Sequence, residues 1–231
     1  MVIDPPERRS WVLLPGTLCT GAVFDGFLDA LGVPTDARED VELTHPNVED
    51  YAEVLAKVPS DAIICGFSLG AIVTAHVADR LRASQIVLFG LNPHADDPAK
   101  HDGRLALARD VSERGGAAAL AERLPALAGA SPETARALVL SMADETSHLI
   151  EAHTKLALGR PGALEPLGQS QRPITFLTGT QDTQAPLRLA QEAAAAAPRG
   201  QVVALEGLGH YALVEDPAAC AHALRDVWAS E

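Results

Sequence analysis

The chain has 231 residues, a formal net charge of −13 and a hydrophobic fraction of 47%. This length and composition suit one large domain, or one domain with an insertion, and exclude a disordered chain. The negative charge disfavours nucleic acid or an anionic membrane as a partner, because both would repel the protein. No segment approaches the ~20 consecutive apolar residues of a membrane-spanning helix.

The cysteines and the N-terminal segment indicate a compartment. Cys19, Cys65 and Cys220 cannot form a closed set of disulfides, and none belongs to a C-x-x-C pair. This usage is typical of a reducing environment. The first ten residues also lack the apolar stretch of a secretory signal. We therefore predict a cytoplasmic protein.

Short apolar runs alternate with segments of helical periodicity along most of the chain. The predicted strands cover residues 11–14, 41–44, 62–65, 85–90, 173–178 and 201–205. The predicted helices between and after them cover residues 22–31, 48–57, 69–81, 186–197 and 217–229. This alternation predicts an α/β fold, with a mostly parallel sheet that helices cover on both faces.

The alternation breaks once, between residues 91 and 168, where no strand pattern occurs. Helical patterns fill this stretch, at residues 102–112, 116–124, 132–143 and 145–158. Ser131 and Pro132 form a good helix start, with a hydroxyl to cap the helix and proline at its first position. We expect residues 1–90 and 169–231 to form the core and residues 91–168 an all-helical insertion. The insertion is either a decorative bundle or, as we favour, a cap over the sheet edge where α/β folds bind ligands.

The segment Gly66-Phe67-Ser68-Leu69-Gly70 matches the G-x-S-x-G pattern of a nucleophile elbow, a sharp turn from a strand into a helix. Such a turn raises the serine hydroxyl at the sheet edge, where a base can activate it. Glycines suit the crowded turn on either side. The pattern predicts Ser68 as a nucleophile and the Leu69 N–H, at the helix N-terminus, as a donor to a developing oxyanion. The alternative is an ordinary glycine-flanked turn with a solvent-facing serine.

Two further residues follow later strands in the order that a serine triad needs on this topology, with the acid before the histidine. Asp182 lies in the turn after strand 173–178, and His210 lies in a glycine-rich loop after strand 201–205. Because the carboxyl ends of parallel strands meet at one sheet edge, we expect both side chains near Ser68. The pattern predicts His210 as the general base and Asp182 as the acid that orients it.

With these motifs, the chain resembles an α/β-hydrolase of the small-cap type, a group that includes carboxylesterases, lactonases and the pimeloyl carrier-protein methyl esterase. The resemblance covers residues 11–228. Beyond the elbow it rests on the acid-turn stretch 179–186, the histidine stretch 209–217, and residues 159–162, where this family returns from cap to sheet. It implies an ester-type small-molecule substrate and no cofactor.

One departure from the family's pattern concerns the second oxyanion donor. The family usually carries His-Gly after its first conserved strand, and the next residue supplies the N–H. This chain has Pro15-Gly16 there, so the role falls to Thr17. The resemblance therefore implies that the Thr17 and Leu69 amides form the oxyanion hole. Cys19, in the same loop, is expected to be a small buried hydrophobe rather than a pocket residue.

The other polar clusters are expected to be structural or solvated. His94, Asp96, Asp97, His101 and Asp102 form the only metal-like cluster, in a loop with no strand to fix it, so we predict a solvated surface and no metal site. Some proteins of the fold place the triad acid after this strand, which makes Asp96 and Asp97 the alternative acids.

Two further expectations concern the histidines and the charge of the insertion. His148 and His153 lie five residues apart, a poor spacing for zinc on a helix, and His76 is expected to pack against the sheet. The insertion carries eight Lys and Arg residues against eleven Asp and Glu, so no basic platform for an acidic carrier protein is predicted.

The sequence therefore predicts a serine hydrolase that cleaves a carboxylic ester, thioester or lactone through an acyl-enzyme on Ser68. It predicts no cofactor, no metal, no nucleic-acid partner and no membrane partner. Two alternatives stay open: a lyase or C–C bond hydrolase with the same triad, and a ligand-binding member of the fold without turnover. The natural substrate and the oligomeric state are left open.

Overall fold

A computed structural model describes residues 8–230 and contains a six-stranded sheet in the order β2-β1-β3-β4-β5-β6. All neighbouring strands are parallel. This confirms the predicted α/β class. The strands are β1 (Trp11–Leu14), β2 (Arg38–Asp40), β3 (Ile63–Phe67), β4 (Gln85–Phe89), β5 (Ile174–Gly179) and β6 (Gly200–Leu205).

Helices connect the strands and cover the sheet. The α-helices are α1 (Ala22–Leu31), α2 (Ala52–Leu55), α3 (Leu69–His76), α4 (His101–Arg114), α5 (Gly116–Ala121), α6 (Pro132–Glu145), α7 (Ile150–Gly159), α8 (Leu164–Gln169), α9 (Leu187–Ala196), α10 (Ala212–Glu215) and α11 (Pro217–Ala229). Short 3-10 turns lie at Thr35–Ala37, Val48–Tyr51, Pro98–Lys100 and Ser147–Leu149. Within residues 8–230, no helix combines the length and the apolar character needed to cross a membrane.

Strands β1, β3 and β4 are buried on both faces, since they carry apolar side chains at successive positions rather than at alternate ones. In β1, Trp11 and Leu13 point to the face covered by α1 and α11, while Val12 and Leu14 point to the face covered by α3, α8 and α9. The central strands β3 and β4 divide in the same way. The core therefore lies on both sides of the sheet and leaves its C-terminal edge available for a site.

The predicted second strand at residues 41–44 was wrong, because β2 covers Arg38–Asp40 instead. This strand lies at the sheet edge, pairs only with β1 and has half-exposed or exposed side chains. An edge strand of three residues needs no apolar pattern. The apolar Leu43 is buried, but it lies in the loop that follows.

Two local predictions about helices also differ from the structure. Helix α3 ends at His76 rather than near Leu81, because the chain tightens into i to i−3 turns, such as Arg80 N–H to the Val77 carbonyl at 2.9 Å. Ser131 precedes α6 as expected, with Pro132 at the first position, but its hydroxyl makes no capping hydrogen bond.

All the regular secondary structure between β4 and β5 is helical, as predicted, and it includes α4–α8. Its buried side chains Val139 and Met142 belong to the same apolar cluster as Phe24 of α1. Helix α8, which the sequence did not predict, packs against α3 and α9 on the opposite face of the sheet. The division of the chain at residues 91 and 168 stays a prediction.

Candidate active site

The turn at Ser68 has the backbone of a nucleophile elbow. Ser68 lies between the end of β3 and the start of α3 and has φ 50° and ψ −108°, a conformation that costs a non-glycine residue about 1–3 kcal/mol. Glycine is required on both sides: a Cβ at Gly70 would lie 1.9 Å from the Leu14 carbonyl oxygen, and one at Gly66 would lie 2.7 Å from the Ala71 Cα. The turn therefore holds the serine side chain above the sheet edge.

The structure brings Ser68, His210 and Asp182 into one hydrogen-bonded chain. His210 Nε2 lies 3.0 Å from the Ser68 Oγ, and His210 Nδ1 lies 2.7 Å from the Asp182 Oδ2. The side chains of His210 and Asp182 are 7% and 1% exposed. A carboxylate beside Nδ1 favours the tautomer with a proton there, which leaves Nε2 free to accept the serine proton.

The turn after β5 orients the Asp182 carboxylate. Its Oδ1 accepts the backbone N–H groups of Gln184 and Ala185 at 2.8 and 2.9 Å. With Oδ1 held in this way, Oδ2 is the oxygen that faces the His210 ring. The carboxylate thus has a single available orientation.

Thr17 and Leu69, the two proposed amide donors, border the cavity beside Ser68. Leu69 is the first residue of α3, so its N–H has no partner within the helix. Thr17 is followed by Leu18, which has a positive φ of 57°. The Leu18 N–H points away toward the Nδ1 of His153 in α7, at 3.3 Å.

Two cavities, of about 370 and 350 Å³, meet at Ser68 and His210. We call the first the basic lobe, since its walls include Lys100, Arg104, Arg123 and Arg160. We call the second the leucine lobe, since Leu18, Leu120 and Leu124 line it and do not line the first. Arg104 and Arg123 line both lobes. Both lobes contain residues of the helical insertion, so that segment shapes the space above the serine.

The sequence matches the model of one family, described as the alpha/beta hydrolase family, over residues 6–223. The chain belongs to the alpha/beta hydrolase family. Comparison with curated proteins found no match.

Solved structures of other alpha/beta hydrolases share the fold at low sequence identity. A thermophilic esterase from Thermogutta terrifontis, solved with malate bound, has a TM-score of 0.78 and 20% identity, with 96% of this chain and 90% of that chain covered. A structure from a study of carboxylesterases of Nitrososphaera gargenis has a TM-score of 0.78 and 16% identity, with 98% of this chain and 92% of that chain covered. The enol-lactonase from Burkholderia xenovorans LB400 has a TM-score of 0.75 and 17% identity, with 96% of this chain and 92% of that chain covered.

Glu215 is a site residue of this alpha/beta hydrolase that was not predicted from the sequence. It lies in α10, is 6% exposed, and its Oε2 accepts the N–H of Gly209 at 2.5 Å. Burial raises the pKa of Glu215, while hydrogen bonds from the backbone of Gly209 and Tyr211 oppose that rise. The carboxylate therefore ties down the loop on both sides of His210. Its place in the histidine stretch was visible in the sequence, but its inward orientation was not.

The expectation of a solvated loop after β4 is wrong for Asp96. Its side chain is 1% exposed and lies between Arg104, at 2.6 Å, and Arg160, at 2.8 Å. Asp97 is exposed and accepts the Ala99 N–H at 3.0 Å in a local turn. Neither is hydrogen-bonded to His210, whose carboxylate partner is Asp182. Among the described residues, no group of three or more His, Cys, Asp or Glu side chains is arranged to hold a metal ion.

Three other side chains from the sequence analysis are buried. His76 lies within hydrogen-bond distance of the carbonyl oxygens of Ile72 and Pro161, at 2.8 and 2.5 Å. Cys19 is 3% exposed within the apolar cluster, and burial raises its pKa to about 12, so its thiol is neutral. His153 is 2% exposed, whereas its sequence neighbour His148 is exposed.

His153 joins the helical insertion to the loop of Thr17, and this contact depends on a neutral ring. Burial lowers the pKa of His153 to about 4, the electrostatic effect of the nearby His148 lowers it further, and a hydrogen bond to the Leu43 backbone opposes the change. Protonation would place a donor at Nδ1, opposite the Leu18 N–H donor. The contact therefore requires the neutral ring and is lost only as pH falls toward 4.

We expect His153→Gln to reduce the acid sensitivity of folding. The unfolded histidine has a pKa near 6.5, so the stability that the neutral ring contributes is complete above that pH and is lost as pH falls toward 4. Between pH 7.5 and 4.5 wild type should lose roughly 2.5 kcal/mol more of its free energy of unfolding than the variant. Urea unfolding at both pH values measures the difference.

The matched control for this experiment is His222→Gln, at an exposed histidine of α11. It should follow wild type at both pH values, because this side chain is exposed in the folded state and loses little contact on unfolding. A gap between wild type and His153→Gln that stays constant with pH would contradict the neutral, buried ring.

Proposed function

We propose that this alpha/beta hydrolase is a serine hydrolase that cleaves a carboxylic ester, thioester or lactone. The observation that carries the proposal is the hydrogen-bonded chain of Ser68, His210 and Asp182 beside an open cavity. The three residues follow β3, β6 and β5, so independent strand ends deliver them to one edge of the sheet. The esterase, carboxylesterase and enol-lactonase among the structural relatives are consistent with this bond type.

The proposed reaction begins when the Ser68 Oγ attacks the substrate carbonyl and His210 Nε2 takes the serine proton. His210 then protonates the leaving oxygen or sulfur, and an acyl-enzyme forms on Ser68. A water molecule, deprotonated by the same nitrogen, attacks the acyl group. The bond to Ser68 Oγ then breaks, His210 returns the proton to that oxygen, and the acid is released. Asp182 stays ionised throughout, holds the ring by its Nδ1 proton and stabilises the imidazolium that forms twice.

Two backbone amides would stabilise the negative oxygen of each tetrahedral intermediate. Leu69 supplies the first N–H of α3, where the helix dipole also favours negative charge. Thr17 supplies the second from the loop after β1. The contact of His153 with Leu18 would fix this loop and couple it to the helical insertion. The insertion would thus act as a cap that both encloses the substrate and positions a donor.

The remaining parts of the proposal concern location and requirements. We propose a cytoplasmic location, because all three cysteines are free and buried. The proposed reaction uses only side chains and backbone amides of this chain, so it needs no cofactor. The substrate would be a small molecule that fits the two lobes.

A fluorophosphonate label and a panel of p-nitrophenyl acyl esters test the proposal together. We expect the label to modify Ser68, because the probe mimics the tetrahedral intermediate and reacts with activated serines. We expect measurable turnover of at least the short-chain esters. Peptide mass mapping locates the label, and release of p-nitrophenolate gives the rate.

The two readouts separate the alternatives. A labelled Ser68 without turnover of any ester would favour a lyase or C–C bond hydrolase with the same three residues. An unlabelled serine without turnover would favour a ligand-binding protein of this fold and would reject the proposal.

A further inference from the structure

The basic lobe concentrates positive charge beside Ser68 in a protein whose net charge is −13. Its walls contain Lys100, Arg104, Arg123 and Arg160, and no Asp or Glu of the described residues lines it. All four cations come from the segment between β4 and β5. Clustered charge of one sign in a concave, partly desolvated site attracts a ligand of the opposite sign.

Two of these cations are held in place by one buried carboxylate. Arg104 donates to both oxygens of Asp96, with Nε 3.0 Å from Oδ2 and Nη2 2.6 Å from Oδ1. Arg160, whose side chain is 2% exposed, lies 2.8 Å from the same Oδ1 and also donates to the Ala157 carbonyl at 2.9 Å. One negative charge balances only one of the two guanidinium groups, so the pair keeps a net positive charge.

The other two cations differ in their partners. Arg123 pairs with Asp110, which lies outside the lining of the lobe. Lys100 is exposed and forms no ion pair or side-chain hydrogen bond with any residue between 8 and 230. The lobe thus holds about two uncompensated positive charges, one shared by the arginine pair and one on Lys100.

The leucine lobe adjoins the basic lobe at Ser68 and His210 and shares Arg104 and Arg123 with it. Of the two lobes, only this one is lined by Leu120 and Leu124 of the insertion and by Leu18 and Phe67 of the core. A substrate that fills both lobes would therefore carry an anionic group near the four cations and an apolar group against these leucines.

We propose that the substrate is an anionic ester or lactone, whose carboxylate or phosphate group binds in the basic lobe. The proposal rests on the proposed hydrolase function and narrows its substrate class. Arginine presents a planar pair of donors that matches carboxylate and phosphate oxygens, and lysine adds a mobile point charge. The apolar remainder of the substrate lies against Leu120 and Leu124.

The test uses two matched pairs of chromogenic esters, so that the anion can lie on either side of the scissile bond. The first pair is mono-p-nitrophenyl glutarate and its neutral methyl ester. The second pair is the butyrate ester of 5-hydroxy-2-nitrobenzoic acid and p-nitrophenyl butyrate. We expect kcat/KM for the anionic member of at least one pair to exceed that of the neutral member by about tenfold, and the preference to fall as salt is added.

Lys100 is the side chain to vary, because replacing Arg104 or Arg160 would remove one of the two arginine partners of the buried Asp96 and endanger folding. Lys100→Met should lower the preference for the anionic ester about fivefold, and Lys100→Glu should lower it about thirtyfold. The control variants Lys57→Met and Lys57→Glu change the net charge equally at an exposed lysine outside both lobes, and they should keep the wild-type preference.

Calorimetric binding of glutarate and of inorganic phosphate gives a readout that does not depend on turnover. If either anion binds and Lys100→Glu weakens that binding, the proposal is supported. The anion that binds more tightly then shows whether the lobe prefers a carboxylate or a phosphate group. Equal rates within both ester pairs, together with binding of neither anion, would overturn it. If no ester is cleaved and Ser68 is not labelled, the hydrolase proposal fails, while anion binding still decides whether the basic lobe is an anion site.

Discussion

A Ser68→Ala variant is expected to lose ester hydrolysis by ~10⁴-fold or more in kcat while it keeps the wild-type fold. The Ser68 Oγ is the only hydroxyl in hydrogen-bond contact with His210 among the described residues, so no neighbouring group can replace it. Alanine retains a Cβ, and the strained backbone at φ 50° therefore experiences the same steric environment. The rate with p-nitrophenyl butyrate measures the loss.

The matched control is Ser112→Ala, which removes the same hydroxyl from an exposed position of α4, where it donates to the Ala108 carbonyl. We expect this variant to keep wild-type activity, and both variants to melt within a few degrees of wild type. Residual turnover above a few per cent in Ser68→Ala would show that another group is the nucleophile.

Most of the sheet could be predicted from the sequence because its central strands are buried on both faces. Strands β3 and β4 have apolar residues at successive positions, so a short continuous run marks them. Strand β2 lacks this signal, because it is an edge strand that pairs only with β1, and its residues Arg38 and Glu39 are half-exposed or exposed. The loop residue Leu43 is apolar because it packs into the hydrophobic core, and its apolar character led to the wrong strand prediction.

The proposed triad could be predicted because topology alone brings strand ends together. Ser68, Asp182 and His210 each follow a different parallel strand, and the structure places them within 3.0 Å of the next member of the chain. The elbow also had a local signature, since only glycine fits at positions 66 and 70. These features depend on local sequence and strand order, and both can be read without knowledge of the packing.

The basic lobe could not be predicted, because its charges come together only through the packing of the insertion. Lys100 and Arg104 precede Arg160 by about sixty residues, and the acidic residues of the same segment outnumber the basic ones. Composition therefore indicated no basic surface, although the folded chain turns four cations toward one cavity. The burial of Asp96 could not be predicted for the same reason, since its two arginine partners lie in α4 and after α7.

Asp182→Asn is the second large-effect prediction, with an expected fall in kcat of ~10⁴-fold at neutral pH. The turn donates two N–H groups to Oδ1, so the asparagine carbonyl will occupy that position and its NH₂ will face His210. An amide donor opposite Nδ1 selects the tautomer with the proton on Nε2. That nitrogen would then donate to Ser68 instead of accepting its proton. Steady-state kinetics on p-nitrophenyl butyrate measure the loss.

Asp97→Asn is the matched control, because Asp97 accepts an N–H two residues ahead, from Ala99, just as Asp182 does from Gln184. The two substitutions therefore make the same chemical change in similar turns, and only Asp182 also contacts the histidine. We expect Asp97→Asn to stay within roughly threefold of wild type, as exposed substitutions outside a site generally do. An active Asp182→Asn together with an inactive Asp97→Asn would move the acid to the loop after β4. Because Asp182 is 1% exposed and its carboxylate has one orientation, the opposite pattern is the one that the geometry favours.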